Sequence, residues 1–141
     1  MSNIETLTFD NISLGHAKIF SIKITEEILK KFAAISGDFN PLHMDEKYAK
    51  NTQFNKRICH GMLLASFFSR LIGMYIPGKQ ALYFSQSLNF ISPCFIGDTV
   101  KVTGTVTKKT SATKMLTIKT EIHNQNNDCI VNGVAKVIVR E

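Results

Sequence analysis

Gly61 to Ile76 reads GMLLASFFSRLIGMYI, and this stretch decides the fold. Its apolar residues fall on nearly every side of a helical projection, too regularly for a strand, and a helix of that length spans about 24 Å. A helix that is apolar all round must be covered, so the stretch predicts a central, buried helix. A membrane span is the competing reading. Ser66, Ser69 and Arg70 interrupt the run, which is also shorter than the roughly 20 apolar residues a bilayer demands. Ala65, Ser69 and Gly73 recur four residues apart as a small-residue stripe that lets a sheet or a second helix approach the backbone.

What covers this helix lies after Pro77-Gly78. Leu82 to Ile91, Thr99 to Thr107, Met115 to His123 and Ile130 to Val139 alternate or cluster β-branched residues, as strands do. Gly97-Asp98, Lys108 to Lys114 and Asn124 to Asp128 separate them. Short connections between successive strands call for an antiparallel sheet. The fold class read from this pattern is α+β, one domain over residues 1–141, with the sheet curled around the central helix. No internal repeat is visible.

Upstream, Thr25 is a plausible N-cap. Glu26 and Glu27 oppose the helix dipole in the first turn, and Ile28, Leu29, Phe32, Ala33 and Ile35 follow at helical spacing. Gly37 and then Asn40-Pro41 end this amphipathic helix, so Asp38 to His43 reads as a loop. Asp45 to Lys50 reads as a short helical turn and Asn51 to Arg57 as a polar connection.

The chain has 141 residues, enough for one sizeable core, and its 44% hydrophobic and 20% charged content is that of a globular protein. Met1 to Asp10 has no basic segment followed by an apolar run, so cytoplasm is the default compartment. Cys59, Cys94 and Cys129 are odd in number and without a CxxC pair, which reads as reduced thiols rather than disulfides or a zinc site. The formal charge of +6 favours anionic partners. Its densest basic run, Lys108, Lys109 and Lys114, looks like a hairpin turn and carries no nucleic-acid motif.

The chemistry concentrates in Phe32 to Leu63, which sets a carboxylate and an imidazole close together in a tight loop and then opens the apolar helix with His60-Gly61. The run Ser36-Gly37-Asp38-Phe39-Asn40-Pro41-Leu42-His43, with Asp45 and Ala49 behind it and His60-Gly61 downstream, resembles the MaoC-like, (R)-specific enoyl-CoA hydratases of the hot-dog fold. Gln86-Ser87-Leu88-Asn89-Phe90 and Gly97-Asp98 extend the resemblance over nearly the whole chain. Cys59 is a small departure, since the family more often has a small aliphatic residue there.

The resemblance implies that Asp38 and His43 act together as acid and base on one water. Each such group typically contributes about 10²- to 10⁴-fold in rate. It also implies that the backbone N–H of Gly61 stabilises the thioester oxyanion and that Ser69 orients Asp38, with a serine bonded to its own helix as the alternative for Ser69. Asn40 is a candidate for ligand contact or for holding the loop. Phe68, Leu71, Ile72 and Tyr75 are candidates for the acyl pocket, with core packing as the alternative for each.

The activity implied is reversible hydration of trans-2-enoyl-CoA to (R)-3-hydroxyacyl-CoA. No cofactor or metal is implied, coenzyme A being part of the substrate. A homodimer or an assembly of dimers is implied as well, with neither nucleic acid nor membrane insertion. The rivals are dehydration on acyl carrier protein, a thioesterase, and a noncatalytic acyl-thioester binder. Cys59 as a nucleophile is disfavoured, because sequence neighbours do not point at one another. His16 and His123 read as surface residues.

Overall fold

The computed structural model describes residues 3–141; the first two positions of the Met1 to Asp10 stretch lie outside the described residues. The elements are β1 (Ala17–Lys23), α1 (Glu26–Ser36), α2 (Pro41–Met44), α3 (Glu46–Lys50), α4 (Gly61–Arg70), β2 (Ala81–Gln86), β3 (Asn89–Phe90), β4 (Thr99–Thr110), β5 (Met115–His123) and β6 (Cys129–Val139). One antiparallel sheet runs in the order β1-β4-β5-β6-β2, and β3 also pairs with β6. This is the α+β arrangement expected, the sheet wrapping the long apolar helix.

Alternation along the strands makes one face of the sheet apolar. Val100, Val102 and Val106 on β4, Leu116, Ile118 and Ile122 on β5, and Ala135, Val137 and Val139 on β6 are all buried. Thr120 is the polar exception on β5, and the Gln86 amide donates to its hydroxyl at 3.0 Å. Against this face α4 sets Leu63, Leu64 and Phe68. Leu71 and Ile72 follow, each side chain contributing about 1.5–3 kcal/mol by leaving water.

The helix differs from its expectation in two ways. It changes winding after Arg70: Leu71–Tyr75 form a π-helical turn, closed by the Ile76 N–H on the Leu71 carbonyl at 3.0 Å. Pro77, which has no N–H to donate, ends it. The wider turn carries Leu71 over β4, where Gly104 leaves room; a Cβ there would lie 2.7 Å from Leu71 Cδ2. Nor is the helix buried on all sides, since Met62, Ser66, Ser69 and Arg70 are exposed. One face alone meets the sheet.

Other differences are local. The expected strand Leu82 to Ile91 divides into β2 and β3 around Ser87-Leu88. The first strand, β1, pairs with β4 from Ala17↔Thr105 to Lys23↔Thr99 and was not among the expectations. In the basic hairpin, Lys109 donates to the Ile12 carbonyl and stands over the Phe9 ring at 4.4 Å, and Lys114 faces Glu141 at 3.7 Å. These charges are committed to intrachain contacts. His16 and His123 are both half-buried, nearer the surface than the core, and His16 Nε2 is unpaired among the described residues.

Candidate active site

The segment from Gly37 to His60 crosses the N-terminal end of α4 and carries the polar groups. α1 begins where Thr25 accepts the Ile28 N–H and stops at Gly37, whose left-handed φ of 78° suits a residue without Cβ. The chain beyond is not the loop expected. Asn40 Oδ1 accepts the Leu42 N–H at 3.0 Å and Pro41 occupies the first helical position, so the short helix α2 forms and His43 lies within it. Asp45 then caps α3 through the Tyr48 N–H at 3.1 Å.

Asp38 is exposed but tightly held. Its N–H donates to Ser36 Oγ at 3.1 Å, its Oδ1 accepts the Asn40 N–H at 3.1 Å, and its carbonyl accepts from His60 Nε2 at 3.0 Å. His43 Nδ1 lies 2.8 Å from the Ile58 carbonyl. A carbonyl only accepts, so Nδ1 carries a proton, and the tautomer this selects has Nε2 as its acceptor. Ligand atoms of Asp38, His43 and His60 all fall within 4.8 Å of one another.

His60 is 1% exposed, and burial lowers its pKa from 6.5 despite the opposing Asp38 carbonyl. Its ring stacks on His43 at 4.2 Å and 29° and packs against Phe32 at 4.9 Å. As a metal site the trio is short of donors. His60 Nε2 is engaged and its Nδ1 is closed off from solvent, while Ile58 holds His43 Nδ1. That leaves the Asp38 carboxylate and His43 Nε2, fewer than the three or four ligands zinc uses.

Asp38, His43, His60 and Gly61 open onto a cavity of about 500 Å³ whose other walls are mostly apolar, among them Ile58, Leu64, Phe90, Ile130 and Val131. Gly61 is the first residue of α4, and His60 supplies no side-chain cap to that helix end. A Cβ on Gly61 would lie 2.7 Å from the exposed Phe90 ring, so a larger residue would have to push that ring aside. Cys59 and Cys94 line the same cavity as buried free thiols. A hydrogen bond with Cys59, with burial, pushes the Cys94 thiol up, which keeps it protonated and a poor nucleophile.

Several expected site residues stand elsewhere. Phe68 and Ile72, each 1% exposed, belong to the core and do not line this cavity. Asn40 is committed to the α2 cap and does not line it either. Ser69, eight residues along α4 from Gly61, is exposed and makes no hydrogen bond to Asp38 within the chain; Ser36 and Asn40 hold Asp38 instead.

Arg57, inside the stretch that reads as a polar connection, is only 8% exposed. Its guanidinium meets the Glu26 carboxylate at 2.8 and 3.0 Å, and its Nε donates to the His43 carbonyl. It therefore ties α2 to α1. A lone arginine in a polar stretch carries no sequence signal of such burial, and the inward His60 ring was likewise read only as a helix start.

The MaoC like domain family matches residues 15–127 of the chain. An (R)-specific enoyl-CoA hydratase of Aeromonas caviae is 39% identical over 93% of this chain and 98% of its own length. A mitochondrial 3-hydroxyacyl-[acyl-carrier-protein] dehydratase of Arabidopsis thaliana is 36% identical over 89% of this chain and 74% of its own. Among solved structures, an unliganded R-hydratase from Pseudomonas aeruginosa superposes with a TM-score of 0.94 at 34% identity, covering 99% of this chain and 90% of that one.

Proposed function

The chain belongs to the MaoC-like domain family, and on that premise we propose that it hydrates trans-2-enoyl-CoA to (R)-3-hydroxyacyl-CoA, reversibly, with Asp38 and His43 acting on one water. The observation that carries this reading is the pair of proton acceptors, the Asp38 carboxylate and His43 Nε2, at the wall of an apolar cavity. A water between them donates one hydrogen to each and turns its oxygen lone pair toward the β-carbon of the bound thioester. As the C–O bond forms, one of the pair takes a water proton and the thioester oxygen gains enolate charge. That same proton is then delivered to the α-carbon, so the base of the first step is the acid of the second.

Gly61 N–H, at the positive end of α4, suits the developing oxyanion, a type of contact worth about 10²- to 10³-fold in rate. With Phe68 and Ile72 in the core, the acyl chain goes against Ile58, Leu64, Phe90, Ile130 and Val131. Acyl carrier protein is the second carrier to test, because the net charge of +6 suits an acidic partner and one relative is named for that substrate.

A homodimer fits the edge strand β2, where Leu82, Tyr83 and Phe84 are exposed in a row. Among the described residues no helix is long and apolar enough to cross a membrane, and free Cys59, Cys94 and Cys129 fit a cytoplasmic setting.

Crotonyl-CoA and longer trans-2-enoyl thioesters, on CoA and on acyl carrier protein, test the reading. Loss of the conjugated-thioester absorbance with an (R)-3-hydroxy product is expected. Release of free thiol means hydrolysis, and inertness on both carriers leaves a binding role.

A further inference from the structure

We infer that His60 is a positioning residue for the acid-base pair, one buried imidazole that sets the orientation of both Asp38 and His43. The inference rests on the assignment of Asp38 and His43 as that pair. A single hydrogen bond, Nδ1 to the Ile58 carbonyl, leaves the His43 ring free to swing about it. The face of His60 at 4.2 Å and 29° fixes the plane that this bond leaves open. Phe32 of α1 also packs against His60, its ring tilted by 58° at 4.9 Å, so the stack is anchored in α1.

Through Nε2 the same ring grips the Asp38 carbonyl at 3.0 Å. Asp38 is otherwise an exposed residue just past the end of α1, tied among the described residues only to its neighbours Ser36 and Asn40. The carbonyl can only accept, so Nε2 carries the proton. His60 also precedes Gly61, which places the pair and the N-terminus of α4 on one rigid reference. His60 needs no contact with the reacting atoms to do this. A shift of about 1 Å in a catalytic group can cost 10²-fold in rate, so an orienting ring can matter as much as a reacting one.

Three variants of the full chain separate the two contacts. His60→Phe keeps a stacking face without the N–H, His60→Gln keeps an N–H without the stack, and His60→Ala loses both. On crotonyl-CoA, His60→Ala is expected to lower kcat about 10²-fold with KM within about twofold of wild type, and the other two to recover part of the loss. If His60→Ala does not fold, His60→Phe and His60→Gln alone decide, each expected about tenfold down in kcat. A folded variant with unchanged kcat, or a loss carried by KM, overturns the inference.

Nitrogen-15 spectra of the histidine rings read the positioning without turnover. His43 is expected to give one Nδ1-protonated ring signal in wild type and an averaged one in His60→Phe and His60→Gln. An unchanged His43 signal overturns the inference even if the wild type proves inactive, an outcome that would count against the hydratase reading instead.

Discussion

The sheet with α4 and the segment from Gly37 to His60 are held together by different forces. In the first, β4, β5 and β6 bury Val102, Ile118, Val137 and their neighbours against Leu71 and Phe68, and apolar contact is nearly the whole account. In the second, Asp38 and Asn40 are exposed, and α2 and α3 have four and five residues, too short to persist alone. Side-chain caps, the Arg57–Glu26 pair, the His43–Ile58 bond and the His60–Asp38 bond hold them. Apolar packing tolerates small shifts of angle; hydrogen bonds do not. The proposed chemistry sits where direction is specified.

That division predicts which changes harm function and which harm the fold. Asp38→Asn should lower kcat by about 10²- to 10⁴-fold while leaving the thermal midpoint nearly in place, since the carboxylate buries little. Leu71→Ala should do the reverse. Loss of that buried side chain beneath Gly104 should cost about 2–5 kcal/mol in urea unfolding, with the surviving folded molecules still turning over, because Leu71 does not line the cavity. If Leu71→Ala lowers kcat as much as Asp38→Asn does, the division fails.

Arg57→Met should fall between these, affecting both. Glu26 is half-exposed and can rehydrate, so the stability loss should be about 1–2 kcal/mol, less than for a fully buried pair. Freeing the His43 carbonyl should also lower kcat. The smallest effect is on the pH dependence of stability. Burial holds the His60 pKa below 6.5, so the unfolded chain takes up a proton at a pH where the folded chain does not. Stability is full above about 6.5 and declines as pH falls toward the lowered folded value. Urea unfolding at several pH values should show this slope in wild type and Leu71→Ala, reduced in His60→Gln.

Much of this was legible in the sequence. Thr25 and Gly37 mark the ends of α1 because capping is local chemistry, and the later strands announce themselves by alternation. β1 was missed although Ile19, Phe20 and Ile22 share its span, because its burial comes from pairing with the distant β4. Asn40-Pro41 signals a turn and a helix start equally, and only the neighbouring elements select α2. Asp38, His43 and Gly61 do share one cavity wall. The inward turn of His60 and the burial of Arg57 depend on long-range partners, Asp38 and Glu26, that no spacing reports. Phe68 and Ile72 were candidates for the pocket because apolar residues in a helix read alike whether they face a core or a ligand.

On the proposed mechanism, Asp38 and His43 act as one unit on one water. The most direct test is a double-mutant cycle on crotonyl-CoA hydration, with Asp38→Asn, His43→Gln and the double variant, each confirmed folded by its thermal midpoint. The account predicts that each single change removes nearly all of the pair's contribution, so that the double variant is hardly slower than the worse of the two. Losses that multiply would mean two independent groups, and a folded single variant of near wild-type rate would contradict the assignment.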